Sequence, residues 1–533
     1  LNTMKFSLTS SGPLTIDFLK CQGIPVLAAY TVMTPYEEWK DSFEGMNAME
    51  VSISVSLPEF DGTVHGVPVA YRHQLENGDI RYLPIPERVT RMVAKAEKWA
   101  RLRHKENKDK KIVILFHNYP PKNSNIGSAV ALDTMESVRR LLAAMRDRGY
   151  KVDFVPRDTK EFISLLTACA TNDRSLLTDD QIARAPKVSA KEYGALYETL
   201  EPSVQVQMEK DWGPAPGTVM ACDGGLLVPG IEDGNIFITV QPPRGFGEDP
   251  EKIYHDPFVA PTHHYLAFYR WLRDGWKADA VAHIGTHGSL EWLPGKNAGL
   301  GPTCYPDIAL DDLPDVYPYL ISITGEGIQA KRRGSACLIE HLPAPQMQAG
   351  LYDELAELEK VMDEYVHFAR TQPENLAALE NMVREKVAQA NLANEVPYEE
   401  GQPFGEYVAA LHHYLTDLKD MQVHTGLHIL GQAPEGEELR ETLLLLTRLA
   451  NGTVPSLLEL LAGTYGLAYH TLTEQSTVWY EPLQLSYGML LDRIQDQARE
   501  IIATLAGGGF TDQAVEEVLM DDSIRREPQS FRD

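Results

Sequence analysis

The chain has 533 residues, enough for about three or four domains of ordinary size. Apolar residues make up 43% of it, so the bulk of the chain is neither disordered nor collagen-like. The 49 basic and 76 acidic residues give a formal charge of −27, which argues against nucleic-acid binding over the whole surface. No apolar run approaches the roughly 20 residues of a membrane-spanning helix, and no secretory signal is recognisable, so we expect neither.

The cysteine pattern predicts a reducing, cytoplasmic setting. Five cysteines are present without any CxxC pair, which predicts neither a disulfide framework nor a cysteine-rich zinc site. The first residues already resemble the middle of an α/β unit, and the last ones stop in polar helical sequence. We therefore expect a fragment of a longer polypeptide.

The first domain that we predict, residues 1–105, is a partial α/β domain truncated at its N-terminus. Within it, the alternation of apolar and polar residues from Val51 to Val55 predicts a strand. Helical periodicity follows from Glu87 to His104.

A βαβ unit opens the second predicted domain, residues 106–342, and predicts a parallel sheet. Its parts are a buried strand Lys111–Phe116, a helix Asp133–Asp147 with a capping box from Asp133 and Glu136, and a strand Lys151–Val155. The connection 117–128 is unusually long and leaves the carboxyl end of a strand, where open α/β sheets place ligands. We interpret it as a pocket wall, and a mobile surface loop is the alternative.

A second strand, 235–240, precedes an aromatic-rich helix 263–273 that Thr262 can cap, and a short strand 279–282 follows. The next strand is predicted at 336–339. From residue 346 onward the pattern turns helical, which defines a third, mainly helical region, 343–533, truncated at its C-terminus. The predicted fold class is multidomain α/β, with parallel-sheet βαβ units followed by a mainly helical C-terminal region.

His283, His287 and Glu291 are spaced four residues apart. Gly285 and Gly288 disfavour a helix there, and the zinc-protease order HExxH is absent. We therefore predict a glycine-rich turn in which two imidazoles and a carboxylate converge with Thr286, Ser289 and Lys296. Such a set can hold a divalent ion and accept protons near neutral pH. The alternative is a turn whose histidines hydrogen-bond the backbone.

The basic triplet Lys331, Arg332 and Arg333 stands out in so acidic a chain. Its functional interpretation is carboxylate recognition, and the alternative is a solvated helix start. His263 begins the aromatic helix, which is either plain core or the wall of a flat ligand. Cys304 and Asp307 stay ambiguous, while His424 and His428 are expected to be structural.

The segment HIGTHGSLEWLPGK (283–296) resembles the hallmark segment of the CobN/magnesium-chelatase H family. Six further motifs match that family in order across nearly the whole chain, and they support the expectation of a central fragment. They are LPEFDG (57–62), NYPPKNSNIGSA (118–129), HDPFVAPTHHYLAFYRWL (255–272), CYPD (304–307), GEGIQAKRR (325–333) and HTGLHILG (424–431).

The resemblance implies the tetrapyrrole- and metal-binding large subunit of an ATP-dependent chelatase, a ligase that forms nitrogen–metal bonds. GEGIQAKRR and the helix after it look most like the large subunit of aerobic cobaltochelatase, which inserts Co²⁺ into hydrogenobyrinic acid a,c-diamide in cobalamin biosynthesis. One alternative is the magnesium chelatase H subunit, which inserts Mg²⁺ into protoporphyrin IX. Another is a non-catalytic tetrapyrrole-binding scaffold or sensor.

The family also implies partners, namely an AAA+ ATPase subunit and its integrin-like companion. This sequence has no P-loop, so ATP would be used by those partners. From the chemistry of insertion we expect His283, His287 and Glu291 to act as metal ligands and proton acceptors, with Glu326 as a second base. We expect the macrocycle's carboxylates to be bound by Lys296, Lys331, Arg332 and Arg333. The facing wall is expected at Asn118, Tyr119 and Lys122, with further substrate contacts from His263 and Thr286.

Overall fold

The computed structural model describes residues 17–18, 20–118, 122–172, 176–222, 224–245, 256–285, 288–343, 346–348, 353–390, 392–420, 422–424 and 426–519. The chain divides into two compact units. The first comprises residues 1–343 with 428–431, and the second comprises 344–427 with 432–533.

A six-stranded sheet, here called the main sheet, forms the centre of the first unit. Its strands run in the order Ala336–His341, Asp315–Leu320, Ala280–Ile284, Ile112–Phe116, Ile236–Val240 and Gly230–Asp233. Every neighbouring pair is parallel except the last, which is antiparallel. The central strand Ile112–Phe116 is almost wholly apolar because helices cover both faces of the sheet. The predicted α/β fold with parallel strands is confirmed.

The predicted strand Lys151–Val155 is wrong. The segment is irregular, and the backbone N–H groups of Asp153 and Phe154 donate to the Asp233 carboxylate at 2.9 and 2.8 Å. These two N–H groups therefore bond to a side chain rather than to a neighbouring strand. The strand that pairs with Ile112–Phe116 is Ile236–Val240 instead.

The predicted strand Val51–Val55 is also wrong, because this stretch is helical. It comprises Ala48–Val51, a π-helical turn Ser52–Ser56, and Leu57–Phe60. Asn47 and Glu50 form a reciprocal capping box, each side chain accepting the other's backbone N–H at 3.0 Å. This cap starts a helix, and it outweighs the period-two alternation that favoured a strand.

A smaller N-terminal sheet pairs Val26–Val32 with Thr63–Gln74 in parallel and Thr63–Gln74 with Ile80–Pro84 in antiparallel. The helix Pro86–His104 packs on it and carries Arg88, which is 1% exposed. Arg88 donates to the Asp307 carboxylate at 2.8 Å, and this buried ion pair joins the helix to the main-sheet region. Asp307, left ambiguous by the sequence, is thus part of a buried ion pair.

The remaining elements of the first unit surround these two sheets. The helices are Tyr36–Asp41, Thr134–Asp147, Thr159–Cys169, Asp179–Arg184, Ala190–Tyr197, Pro202–Trp212, His263–Arg270, Tyr305–Leu310 and Thr324–Arg333; the strands are Lys187–Val188, Ala221–Cys222 and Gly225–Leu227. A π-helical turn, Trp271–Gly275, continues the helix that begins at His263.

The second unit is mainly helical, as predicted. Its helices are Asp353–Thr371, Leu376–Gln389, Phe404–Asp420, Gly436–Thr447, Leu457–Thr464, Tyr469–Glu474, Tyr487–Gly507 and Asp512–Leu519. Two short strand pairs, Gln346–Gln348 with Gln422–His424 and Trp479–Tyr480 with Leu485–Ser486, complete it. None of the helices described in either unit is long and apolar enough to cross a bilayer.

Candidate functional site

The candidate site lies where the parallel strands Ile112–Phe116, Ile236–Val240 and Ala280–Ile284 end side by side. Gly285, directly after the last of these, has φ +155°, and a Cβ there would stand 2.5 Å from the Cβ of His117. Only glycine lets these two backbone segments approach so closely, and the His117 N–H donates to the Ile284 carbonyl at 2.9 Å. The hallmark segment therefore begins in contact with the loop 117–128.

His283 is buried between a carboxylate and a phenol. Its Nδ1 lies 2.7 Å from Asp315 Oδ1 and its Nε2 lies 3.0 Å from the Tyr269 hydroxyl. Burial opposes protonation, but the Asp315 carboxylate outweighs it through charge and hydrogen bonding, so the pKa of His283 is raised. Both ring nitrogens are thus engaged within the protein.

Glu291 lies in a short 3₁₀ turn, Leu290–Trp292, and is 2% exposed. Its Oε1 accepts the Gly288 N–H at 2.9 Å and faces the Tyr317 hydroxyl at 3.4 Å. Burial raises the pKa of this carboxyl from 4.5 to about 7, against the lowering effect of the Gly288 N–H and the His283 charge. A carboxylate with that pKa exchanges a proton readily near neutral pH.

Gln241 follows the strand Ile236–Val240 and connects the hallmark segment to Tyr269, whose hydroxyl lies against His283. Its Oε1 accepts the Ser289 N–H at 2.8 Å, and its Nε2 donates to the Tyr269 hydroxyl at 2.8 Å. The side chain is 3% exposed, so these bonds are made away from water. Gln241 thereby fixes the position of Ser289 relative to the aromatic helix.

Asn118, the first predicted wall residue, is 4% exposed. Within the described chain neither its amide nitrogen nor its amide oxygen has a hydrogen-bond partner. Buried amides are nearly always satisfied, so this orphan indicates that a polar group binds here. Lys122 is exposed on the same loop, whereas Tyr119 lies outside the described residues.

The predicted metal triad is only partly described, because His287 lies outside the described residues, as does the predicted substrate contact Thr286. Among the residues that are described, no three histidine, cysteine, aspartate or glutamate side chains are grouped to hold a metal ion. The structure does bring His283 and Glu291 together, since each influences the pKa of the other.

His263 does not face this site. It is 1% exposed, its Nδ1 lies 2.8 Å from the Tyr193 hydroxyl, and its Nε2 lies 2.9 Å from the Gly213 carbonyl. A ligand could reach this imidazole only by breaking those bonds. The structure gives His263 a place in the core, which was the alternative that the aromatic helix suggested.

The predicted carboxylate-binding cations have partners inside the protein. Lys296 is 3% exposed and donates to the carbonyls of Lys40 and Ser42 at 2.9 and 2.8 Å. Arg333 donates to the carbonyls of Leu293 and Gly295 and so fixes the end of the hallmark segment.

Arg332 forms an ion pair with Glu59 at 2.7 Å, which joins the GEGIQAKRR and LPEFDG motifs. Lys331 lines a small cavity beside that pair. Of these basic residues, Arg333 lies close enough to Glu291 for that carboxylate to oppose the lowering of the Arg333 pKa by burial, while Lys296 and Arg332 bind elsewhere in the protein.

The sequence also singled out Glu326, Cys304 and His428, and each has a contact within the protein. Glu326 Oε2 accepts from the Tyr319 hydroxyl at 3.4 Å. Cys304 Sγ accepts the backbone N–H groups of Lys296 and Gly301, which gives it a structural contact. His428 stacks on His341 with ring centroids 5.5 Å apart, in agreement with the structural role expected for it.

Sequence reasoning missed four residues of this site: Asp315, Gln241, Tyr269 and Tyr317. Asp315 begins a strand, Gln241 follows the end of one, and Tyr269 lies on a helix whose aromatics look like ordinary core. The only usable signal is a polar residue at the end of a buried strand, as at Gln241.

The comparisons with known proteins agree with these motifs. A family model described as CobN/Magnesium Chelatase matches residues 1–530. The solved catalytic subunit of cobaltochelatase from Mycobacterium tuberculosis aligns with a TM-score of 0.82 and 34% identity, over 96% of this chain and 42% of that one.

Curated relatives have similar identities. An uncharacterized protein of Methanocaldococcus jannaschii is 38% identical over 97% of this chain and 42% of its own length. The aerobic cobaltochelatase CobN of Pseudomonas aeruginosa is 34% identical over 84% and 37%, and the magnesium-chelatase H protein of Chlorobaculum parvum is 31% identical over 77% and 31%. The chain thus spans less than half the length of each of these relatives.

The resemblance predicted from the motifs is confirmed, and the chain belongs to the CobN/magnesium chelatase family.

Proposed function

We propose that this chain forms the metal-insertion centre of a tetrapyrrole metal chelatase. The observation that carries the proposal is Glu291, a buried carboxyl whose pKa is about 7, held beside His283 where parallel strands end. The orphaned amide of Asn118 on the adjoining loop supports a polar ligand at the same place. Membership of a family whose named members are cobalt and magnesium chelatases supports the reaction class.

Insertion replaces the inner N–H protons of the macrocycle by one divalent ion, two protons for a porphyrin and one for a corrin, so the centre must accept up to two protons. Glu291 takes one of them, because a group with pKa near the working pH is an efficient general base. The second falls to His287 or Glu326, the other bases predicted from the sequence. Proton removal exposes the ring nitrogens to the incoming ion, which is a substrate of the reaction.

The metal ion reaches the ring through His283, His287 and Glu291 in this proposal. Imidazole and carboxylate ligands suit Co²⁺ and Mg²⁺ delivery because they bind less tightly than clustered thiolates. His283 Nε2 must leave the Tyr269 hydroxyl before it can coordinate an ion. Asp315 would then keep the ring oriented through Nδ1.

The substrate pair that we favour is Co²⁺ with hydrogenobyrinic acid a,c-diamide. The support is the resemblance of GEGIQAKRR to the large cobaltochelatase subunit and the solved cobaltochelatase neighbour. Mg²⁺ with protoporphyrin IX is the alternative. ATP hydrolysis by AAA+ and integrin-like partner subunits completes the proposal, since the sequence carries no P-loop.

Substitution of Glu291 by Gln tests the proposal, because it keeps the shape of the side chain but removes the base. We expect metal insertion with partner subunits and ATP to fall by about 10²–10⁴-fold, the usual contribution of a general base. Macrocycle binding, followed by absorbance with hydrogenobyrinic acid a,c-diamide and protoporphyrin IX, should change little. Glu97, exposed on the helix Pro86–His104, provides a matched Glu→Gln control.

Normal insertion by the Glu291→Gln protein would contradict the role of this carboxyl. Tight macrocycle binding by the wild-type protein without any insertion, even with partners and ATP, would favour the scaffold or sensor instead. The macrocycle that binds more tightly decides between the cobalt and magnesium subfamilies.

A further inference from the structure

A small cavity lies where the strand Thr63–Gln74 meets the helix Thr324–Arg333. We call it the recess, and its volume is about 20 Å³. A single water needs about 10–15 Å³, so the recess admits one water or one monatomic ion but no carboxylate of a large ligand. The residues that line it are Ala28, Tyr30, Ser54, Val55, Glu59, Thr63, His65, Gly66, Ala298, Gly299, Lys331 and Arg332.

Two buried polar atoms in the recess have no hydrogen-bond partner within the described chain, Thr63 Oγ1 and His65 Nδ1. Their residues are 2% and 5% exposed. A register irregularity in the pairing with Val26 and Leu27 lies between them, and both residues line the recess. Two unsatisfied groups on one small cavity indicate a bound species, because a buried polar group without a hydrogen-bond partner destabilises the folded protein.

The charges around the recess favour an anion. The Lys331 ammonium makes no hydrogen bond or ion pair with any described residue, whereas Arg332 is neutralised by Glu59 at 2.7 Å. Burial, and then the charges of Lys95 and Lys331, lower the pKa of His65 to about 3. His65 is therefore neutral, and Asp307 opposes the effect of these two ammonium groups on its pKa.

We propose that the recess binds one halide-sized anion, held by the Thr63 hydroxyl, the His65 imidazole N–H and the Lys331 ammonium. An anion accepts from all three donors and compensates the charge of Lys331. A water molecule would satisfy the two neutral groups but would bring no negative charge to the Lys331 ammonium, on which Glu59 and Glu340 act without forming an ion pair.

The anion would connect two parts of the first unit that the sequence separates widely. Thr63 and His65 lie on the N-terminal sheet, and Lys331 lies on the helix whose Arg333 holds the Leu293 carbonyl. Halide binding should therefore stabilise the folded unit. This inference does not depend on the proposed chelatase function.

Thermal unfolding of the full chain in potassium bromide, compared with potassium gluconate at equal ionic strength, tests the site. A ligand that binds only the native state raises the midpoint in a saturable way, and gluconate is too large for the recess. We expect a saturable rise of the midpoint in bromide and none in gluconate.

Two substitutions assign the effect to the recess. Thr63→Val keeps the shape but removes the hydroxyl, and Lys331→Met removes the charge while keeping the length. Each should raise the half-saturating bromide concentration about tenfold or more, and Thr63→Ser should restore it. Thr90→Val, at an exposed threonine on the helix Pro86–His104, is the matched control and should respond like wild type.

Diffraction from crystals containing bromide provides the direct measurement. An anomalous peak within hydrogen-bond distance of Thr63 Oγ1 and Lys331 Nζ is the expected result. Density for water without an anomalous signal would overturn the proposal. So would equal midpoints in bromide and gluconate, or a Lys331→Met protein that responds to bromide like wild type.

Discussion

Glu291 owes its properties to neighbours that are distant in sequence. Burial raises its pKa, and its own backbone N–H, the Gly288 N–H and the His283 charge oppose that rise. In turn, Asp315 holds His283 in place from the adjacent strand. The pKa of the carboxyl is therefore raised toward 7 by its buried position at the end of the strands, where burial disfavours the charged form.

This environment predicts a dependence of stability on pH. Because the pKa of Glu291 is raised from 4.5 to about 7, the native state holds its proton more tightly than the unfolded state does. Its contribution is fully present below pH 4.5 and is lost as the pH rises through 7. At pH 8 the ionised carboxyl should cost about 3 kcal/mol relative to acid conditions.

Glu291→Gln should flatten that part of the curve. Denaturant unfolding at several pH values from 4.5 to 8 measures the free energy of unfolding of both proteins. The variant should become more stable relative to wild type as the pH rises. Parallel curves for the two proteins would show that Glu291 is not buried as described.

At the scale of elements, the site depends on how closely two strand ends approach. The His117 N–H donates to the Ile284 carbonyl, and the Gly127 N–H donates to the His117 carbonyl at 2.7 Å. These bonds order both ends of the loop that the sequence marked as a pocket wall. The capping box predicted at Asp133 forms only in half, because Glu136 binds Arg139 instead of the backbone.

Gly285→Ala should disrupt this approach. The new Cβ would meet the Cβ of His117 at 2.5 Å, at a φ of +155° that side chains rarely adopt. We expect a loss of about 2–4 kcal/mol in the free energy of unfolding and weaker macrocycle binding.

Gly78→Ala is the control, since Gly78 has φ +87° but nothing within 4 Å. It should cost about 1 kcal/mol from backbone strain alone. Equal destabilisation by the two variants would mean that the contact with His117 is unimportant.

At the scale of the whole molecule, a short peptide from the later part of the chain belongs to the first unit. This docked peptide, His428–Gly431, donates its His428 N–H to Ala131 at 2.8 Å, and its Leu430 N–H to Ser137 Oγ at 3.0 Å. The residues that it contacts, Ala131 and Ser137, follow shortly after the loop 117–128. The family motif HTGLHILG therefore contributes to the unit that carries the candidate site.

Ser137→Ala should loosen the docked peptide without unfolding the unit. The Leu430 N–H loses its acceptor, so its hydrogen exchange should accelerate by about tenfold or more. Mass spectrometry or NMR of exchange at residues 428–431 measures this. Ser164→Ala, at an exposed serine of the neighbouring helix, should leave that rate unchanged, and unchanged exchange in Ser137→Ala would contradict the docking.

The sequence by itself determined the α/β class, the helical C-terminal region, the family and the hallmark segment. These follow from local periodicity, from glycine spacing and from motifs that are contiguous in the chain. It also made Glu291 and His283 candidates for the site, because imidazole and carboxylate groups in a glycine-rich turn are visible without any structure.

Only the tertiary structure decided which groups surround them. Asp315 and Gln241 reach the site from neighbouring strands, and such pairing depends on strand order, which no local spacing encodes. The same reason explains the errors at Val51–Val55 and Lys151–Val155, where a capping box and a distant carboxylate decided the backbone. It also explains why Arg332 and Arg333 bind within the protein, since their partners Glu59 and Leu293 lie far away in sequence.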